Sequence, residues 1–195
     1  MLAVNLPAQP INLPAPQKTG GMPLMEALAK RSTARAFATN ALSPQQVSSL
    51  LWAANGVNRP DGKRTAPSAM DRQEIDIYVL LPQGAYVYSA ASNKLDLVLA
   101  EDIRALGGQQ AFVKDAPVTL VFVADLAKEG GNAETAREYV HDDVGYISQN
   151  VYLYCASEAL VTGVRAMIDR NALGPKLKLR PDQLILLAQS VGYPK

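Results

Sequence analysis

The sequence predicts an α+β fold, with helices layered against one sheet in a three-layer α/β/α arrangement. Three observations carry this. The hydrophobic period starts helical, changes to strand-like alternation, and returns to helical in one long segment before a last apolar strand. The composition, 48% hydrophobic and 19% charged, is that of a chain that packs a core. The length, 195 residues, suits one domain or one subunit of an intertwined dimer.

The elements follow in order. Residues 1–20 are rich in Pro, Ala and Asn, with Pro7, Pro10, Pro14 and Pro16, and read as an extended arm or linker. Residues 21–195 read as one domain. The arm is either the start of an exported protein whose signal was removed or a strap around a partner subunit. Residues 18–21 form a turn. Residues 23–30 predict a helix with Pro23 near its first turn and Met25, Leu28 and Ala29 at helical spacing. Ser43 predicts an N-cap, with Pro44 at the first helical position, Gln46 closing a capping box, and an apolar face of Val47, Leu50, Leu51 and Ala54. Trp52 flanks that face, and Asn55-Gly56 stops the helix.

Residues 58–72 are a polar loop. Ile75, Ile77 and Val79 alternate as a strand ending at Leu81-Pro82, Tyr86-Val87-Tyr88 returns as a hairpin, and residues 94–99 form a short third segment. Residues 101–106 predict a short helix. Gly20-Gly21, Gly107-Gly108 and Gly130-Gly131 read as loops. The continuous apolar run 118–124 predicts the central strand. Residues 133–160 predict the longest helix, apolar on most sides in its second half and so buried in a core or an interface. Residues 162–169 leave that helix, Leu173-Gly174-Pro175 is a turn, and residues 184–191 are the last strand.

Several functions are excluded or unmarked. A net charge of +1 argues against a nucleic-acid binder. The single cysteine, Cys155, rules out an internal disulfide or a cysteine-cluster metal site and reads as a buried small hydrophobe. His141, the only histidine, has Asp142 and Asp143 beside it, but adjacent helix positions diverge, so no metal site is predicted. No nucleophile elbow, carboxylate pair or Rossmann glycine fingerprint is present. Ser148, Gln149, Asn150, Ser157 and Glu158 interrupt the long helix against a membrane span. The chain as given opens without a signal peptide. The compartment is therefore cytoplasmic by default, or exported if a signal was removed.

The informative constellation has three parts. One is the basic segment Arg31-Ser32-Thr33-Ala34-Arg35-Ala36-Phe37, whose guanidinium forks and hydroxyls suit a phosphate. By itself it also reads as a solvated helix end. The second is the loop Ala66-Pro67-Ser68-Ala69-Met70 with Gln73 beyond it, where small residues let backbone approach a flat ligand. The third is Gly163-Val164-Arg165-Ala166, with the basic C-terminal Lys195.

With these segments, Gln149-Asn150 and the ending Val191-Gly192-Tyr193-Pro194, the chain resembles the nitroreductase superfamily of FMN-dependent oxidoreductases over residues 21–195. The stretch Leu50-Leu51-Trp52-Ala53-Ala54-Asn55-Gly56 and the Arg64-Thr65-Ala66-Pro67-Ser68-Ala69 loop are most similar to the branch that includes SagB-type azoline dehydrogenases. Met70-Asp71-Arg72 departs from that branch.

The resemblance implies a domain-swapped homodimer with FMN at its interface and NAD(P)H as co-substrate. Arg31 and Thr33 would contact the phosphate, with Ser32 close by, and Arg35 would face the pyrimidine edge. Pro67, Ser68, Ala69 and Met70, with Gln73, would reach the flavin of the partner subunit. Val164, Arg165 and Ala166 would line the ring, and Arg165 or Lys195 would add phosphate charge. The implied activity is hydride transfer to FMN, then reduction of a nitroaromatic, quinone or similar flat acceptor, with no essential protein acid or nucleophile. A substrate-specific FMN dehydrogenase of the azoline type and a flavin-binding protein without turnover remain open alternatives.

Overall fold

The computed structural model describes residues 9–128 and 133–195. The first eight residues of the arm and the Gly130-Gly131 loop lie outside the described residues, as do the side chains of Ala133 and Glu134. The strands are β1 (Ile11–Asn12), β2 (Ile75–Leu81), β3 (Gly84–Ser89), β4 (Lys94–Leu99), β5 (Val118–Asp125), β6 (Val161–Arg165) and β7 (Gln183–Gly192). They form one sheet in the order β1-β4-β3-β2-β5-β7-β6, every neighbouring pair antiparallel. The helices are α1 (Leu24–Lys30), α2 (Pro44–Asn55), α3 (Ala133–Ser157) and α4 (Arg170–Lys176).

The three layers are visible in the core. On one face, α2 and α3 bury Leu50, Leu51, Val144 and Val151 against Ile77, Val79, Leu120 and Phe122. On the other, Leu173 of α4 and Leu177 at its C-terminal cap, with Ile103, cover Tyr78, Leu80, Val121 and Val123. β5 is buried along its whole length, which explains its unbroken apolar run. The α2 start folds as its sequence dictates. Ser43 Oγ accepts from Gln46 N, Gln46 accepts back from Ser43 N, and Pro44 occupies the first turn.

Five expectations are corrected. Residues 101–106 do not form an α-helix; a 3-10 turn spans Arg104–Gly107. Residues 162–165, the first part of the 162–169 segment read as a helix exit, lie in strand β6, because β7 supplies the partner from further along the chain. Leu173-Gly174-Pro175 is not a free turn but lies inside α4, whose start is fixed by Asp169 accepting from Ala172 N. The long helix stops at Ser157, and its apolar half is not buried all round: Tyr146 is 51% exposed. In α1 the small residue Ala27 is the buried one, while Leu24, Met25 and Leu28 face outward.

The arm's described part runs extended along its own chain. Ile11 and Asn12 pair with Leu95 and Lys94. Ser48 Oγ and Asn93 Nδ2 both donate to Pro14 O, and Gln17 N donates to Ser49 Oγ.

Candidate functional site

The basic segment is laid against β6 and the end of β7. Ala34 N donates to Thr162 O at 2.8 Å, and Ala38 N to Tyr193 O at 3.0 Å. Between them Phe37 is buried and meets Phe112 with ring centroids 5.8 Å apart. Gly163 permits this approach, because a Cβ there would stand 2.5 Å from Ala34 O. The sequence thus pins Phe37 into the core and leaves Ser32, Thr33 and Arg35 exposed.

Tyr152 of α3 joins the pieces. Its hydroxyl lies 3.0 Å from Thr33 Oγ1 and accepts from Val164 N at 3.1 Å. The Arg31 guanidinium sits over its ring, 5.3 Å from the centroid. Nothing in the sequence marked Tyr152, one of four tyrosines on α3. Only the meeting of α3, β6 and the basic segment gives it a place.

A cavity of about 190 Å³ opens beside this assembly, lined by Thr33, Ala34 and Arg35, by Gly163 through Met167, and by Gln110 and Phe112. Its lining holds two arginines and no carboxylate. Neither Arg31 nor Arg35 meets a carboxylate among the described residues, unlike the ion pairs Lys176–Glu101 and Arg180–Asp125 elsewhere. Such a site suits an acceptor-rich, anionic ligand.

Arg165 is placed differently from Arg31 and Arg35. Its guanidinium turns inward and donates to Gly107 O at 2.7 Å, Gly163 O at 3.3 Å and Ser190 Oγ at 3.0 Å. Burial, unrelieved by any carboxylate, lowers its pKa to about 10. It fastens the Arg104–Gly107 turn to β6 instead of presenting donors to solvent. Arg170 braces the next stretch, donating to Ala166 O, Ile185 O and Leu186 O. Lys195 is exposed.

The Pro67-Ser68-Ala69-Met70 loop stands apart from this cluster. Asp143 Oδ2 of α3 accepts from Ala69 N at 2.8 Å. Ser68 Oγ accepts from Gln73 N, and the Gln73 amide is spent inside the loop, accepting from Arg64 Nε and donating to Asp71 Oδ1. Met70, Asp71 and Gln73 adopt left-handed backbone, with φ of 55°, 57° and 51°. Met70 is 76% exposed.

Asp143 and Tyr152 are nine residues apart on one helix. That is about 13.5 Å along the axis and about 900° of rotation, two turns and a half. The loop and the basic segment therefore flank α3 on opposite sides, and the exposed stripe of Asp142, Tyr146 and Gln149 runs between them. The chain brings two of the three sequence segments together and holds the third across the helix.

Comparison with known proteins identifies the architecture. The model of the nitroreductase family matches residues 28–193. This chain belongs to the nitroreductase family. A nitroreductase-type protein of Methanocaldococcus jannaschii is 31% identical over 176 residues, covering 84% of this chain and 88% of its own. The crystal structure of a nitroreductase-type protein from Ralstonia eutropha JMP134 is 39% identical, with a TM-score of 0.92 over 97% of this chain and 95% of that one. A Staphylococcus epidermidis chain named for NAD(P)H:FMN oxidoreductase activity shares the fold at 13% identity, with a TM-score of 0.68 over 92% of this chain and 91% of that one. The family is one of oxidoreductases, and that general activity is this chain's own. Among its described residues no helix is long and apolar enough to cross a membrane.

Proposed function

We propose that this nitroreductase-family chain is an FMN-dependent NAD(P)H oxidoreductase whose site is completed by a second copy of itself. The observation that carries the reading is Arg35, set with Thr33 beside the Gly163–Met167 backbone, with Arg31 over the Tyr152 ring, neither arginine meeting a carboxylate among the described residues. When bound there, FMN would supply acceptance of a hydride from NAD(P)H and onward delivery of electrons to a nitroaromatic, quinone or similar flat acceptor.

The chain's own residues bind and orient. Arg31 and Thr33 hold the phosphate, with Ser32 at the rim. Arg35 presents positive charge to the pyrimidine edge and so favours the negative charge that develops there. Val164, Arg165 and Ala166 supply the backbone wall, and Arg165 contributes through its hold on that wall. The exposed Lys195 stands as a further cation for the phosphate. No acid, base or nucleophile of the chain is needed.

The need for a second copy follows from size and surface. About 190 Å³ is below the roughly 300–1,000 Å³ of a typical ligand pocket. Leu24, Met25 and Leu28 of α1 and Tyr139 and Tyr146 of α3 are exposed, more apolar side chains than one subunit would leave to water without a partner. A twofold pairing across the α3 stripe would bring each loop of Pro67, Ser68, Ala69 and Met70, braced by Gln73, toward the other copy's basic segment.

The test is an absorption spectrum of the purified chain, then anaerobic addition of NADH or NADPH. A yellow protein that bleaches is the expected result. A colourless protein that takes up no added FMN would overturn the reading.

A further inference from the structure

The Tyr152 hydroxyl touches both halves of the site, and its contacts offer its proton one acceptor, Thr33 Oγ1. The residue is 7% exposed, and its hydroxyl has two partners within the protein, Thr33 Oγ1 and Val164 N. The Val164 backbone N–H can only donate, so Tyr152 Oη is its acceptor. The phenol carries one proton. Were Thr33 to donate to Oη, that proton would be left without an acceptor among the contacts of Tyr152, which burial penalises. The satisfied arrangement runs from Val164 N–H to Tyr152 Oη, and from Tyr152 O–H to Thr33 Oγ1. The Thr33 proton is then turned away from Tyr152, toward the exposed side of the segment. Arg31 over the same ring is held by the ring face, which uses none of its N–H donors.

We propose that Tyr152 is a positioning residue that fixes the Thr33 hydroxyl as a donor to an acceptor-only anionic oxygen, so that the site selects a phosphorylated flavin over the unphosphorylated one. This rests on the FMN reading above. A ligand hydroxyl at the same place would meet a donor already committed to giving and would have to use its own oxygen as acceptor. A phosphate oxygen offers only lone pairs and adds the charge that Arg31 lacks among the described residues.

The experiment titrates the flavin-free full chain with FMN and with riboflavin, following quenching of flavin fluorescence. In the wild type FMN binds more tightly. Tyr152→Phe is expected to weaken FMN about tenfold, the loss of an aligned hydrogen bond to a charged group, and to weaken riboflavin less, since the same bond to a neutral hydroxyl is the weaker one. Thr33→Val should shrink the FMN-to-riboflavin ratio alike, Thr33→Ser should keep it, and Tyr152→Phe added to Thr33→Val should take away nothing more. Equal weakening of both flavins in Tyr152→Phe, no weakening of FMN, or a full further loss in the double variant overturns the proposal. Far-UV circular dichroism shows whether Tyr152→Phe folds. If it does not, a Thr33→Val chain that keeps the wild-type ratio still overturns the proposal. A wild type that binds neither flavin overturns the FMN reading itself, and the inference with it.

Discussion

The Asp143 carboxylate, almost wholly buried on α3, accepts a 2.8 Å hydrogen bond from the backbone N–H of Ala69. This bond ties a loop with three left-handed non-glycine residues to the central helix. Such residues cost about 1–3 kcal/mol each and persist where the surroundings hold them. Asp143→Ala removes the acceptor and is expected to destabilise the fold by about 1–3 kcal/mol, or about 2–4 °C in Tm per kcal/mol. Asp143→Asn keeps a carbonyl oxygen in place and should lose less. Melting curves of the two variants decide it, and equal Tm values for both and the wild type would show that the bond holds nothing.

Arg35 is exposed and meets no carboxylate among the described residues, so its charge contributes little to the fold and is open to a ligand. Arg35→Ala should keep the wild-type melting temperature but lose bound FMN or slow its reduction by NAD(P)H. Arg35→Lys keeps the charge and should retain part of both. Flavin content on purification and the anaerobic bleaching rate are the readouts, and unchanged values in Arg35→Ala would remove Arg35 from the site.

Gly108 packs under Arg165. A Cβ at Gly108 would press on Nε of Arg165 and stand 2.7 Å from its Cδ. The Gly108 backbone is extended, so the obstacle is packing alone. Gly108→Ala should cost about 1–3 kcal/mol. Arg165→Met should cost more, since Gly107 O, Gly163 O and Ser190 Oγ each lose a donor. Denaturant unfolding measures both, and a neutral Arg165→Met would show that this buried guanidinium is not a structural tie.

Stability should fall in alkali. Burial pushes the Tyr88 phenol up to about 12, and burial with the nearby Glu158 charge does the same for Tyr154. In the unfolded chain both lose their protons near pH 10. Between pH 10 and about 12 the native state therefore binds more protons than the unfolded state. The stabilisation is whole below that window and is lost as pH rises through it. For the buried Tyr88 the slope is about 1.4 kcal/mol per pH unit. Tm measured against pH checks this, and Tyr88→Phe should flatten the decline.

Much of this was legible where local rules decide the outcome. The Ser43–Gln46 capping box, the apolar face of α2, the hairpin around Tyr86 and the buried run of β5 are all fixed by residues close in sequence. β6 and α4 were not legible, because a five-residue strand containing Gly163 becomes a strand only when β7 lies beside it, and Gly174-Pro175 reads as a breaker until Asp169 caps a short helix. The basic segment and the backbone of residues 163–166 stood out in the sequence, and the structure sets them side by side. The inward turn of Arg165 was not, because side-chain direction on an edge strand depends on what packs behind it. Tyr152 and Asp143 were invisible for the same reason: each matters through a partner far away in the chain.

The sheet order also governs how the site comes into being. β6 has a single strand neighbour, β7, which is made later and must insert between β5 and β6. Until it does, Gly163 and Val164 have no ladder to hold them, and Ala34 N has no ordered Thr162 O to meet. The Ala34–Thr162 contact that seats the basic segment on β6 joins distant parts of the chain, and contacts of such long sequence separation form slowly. A flavin added during refolding should then speed recovery only in the phase that seats the basic segment on β6.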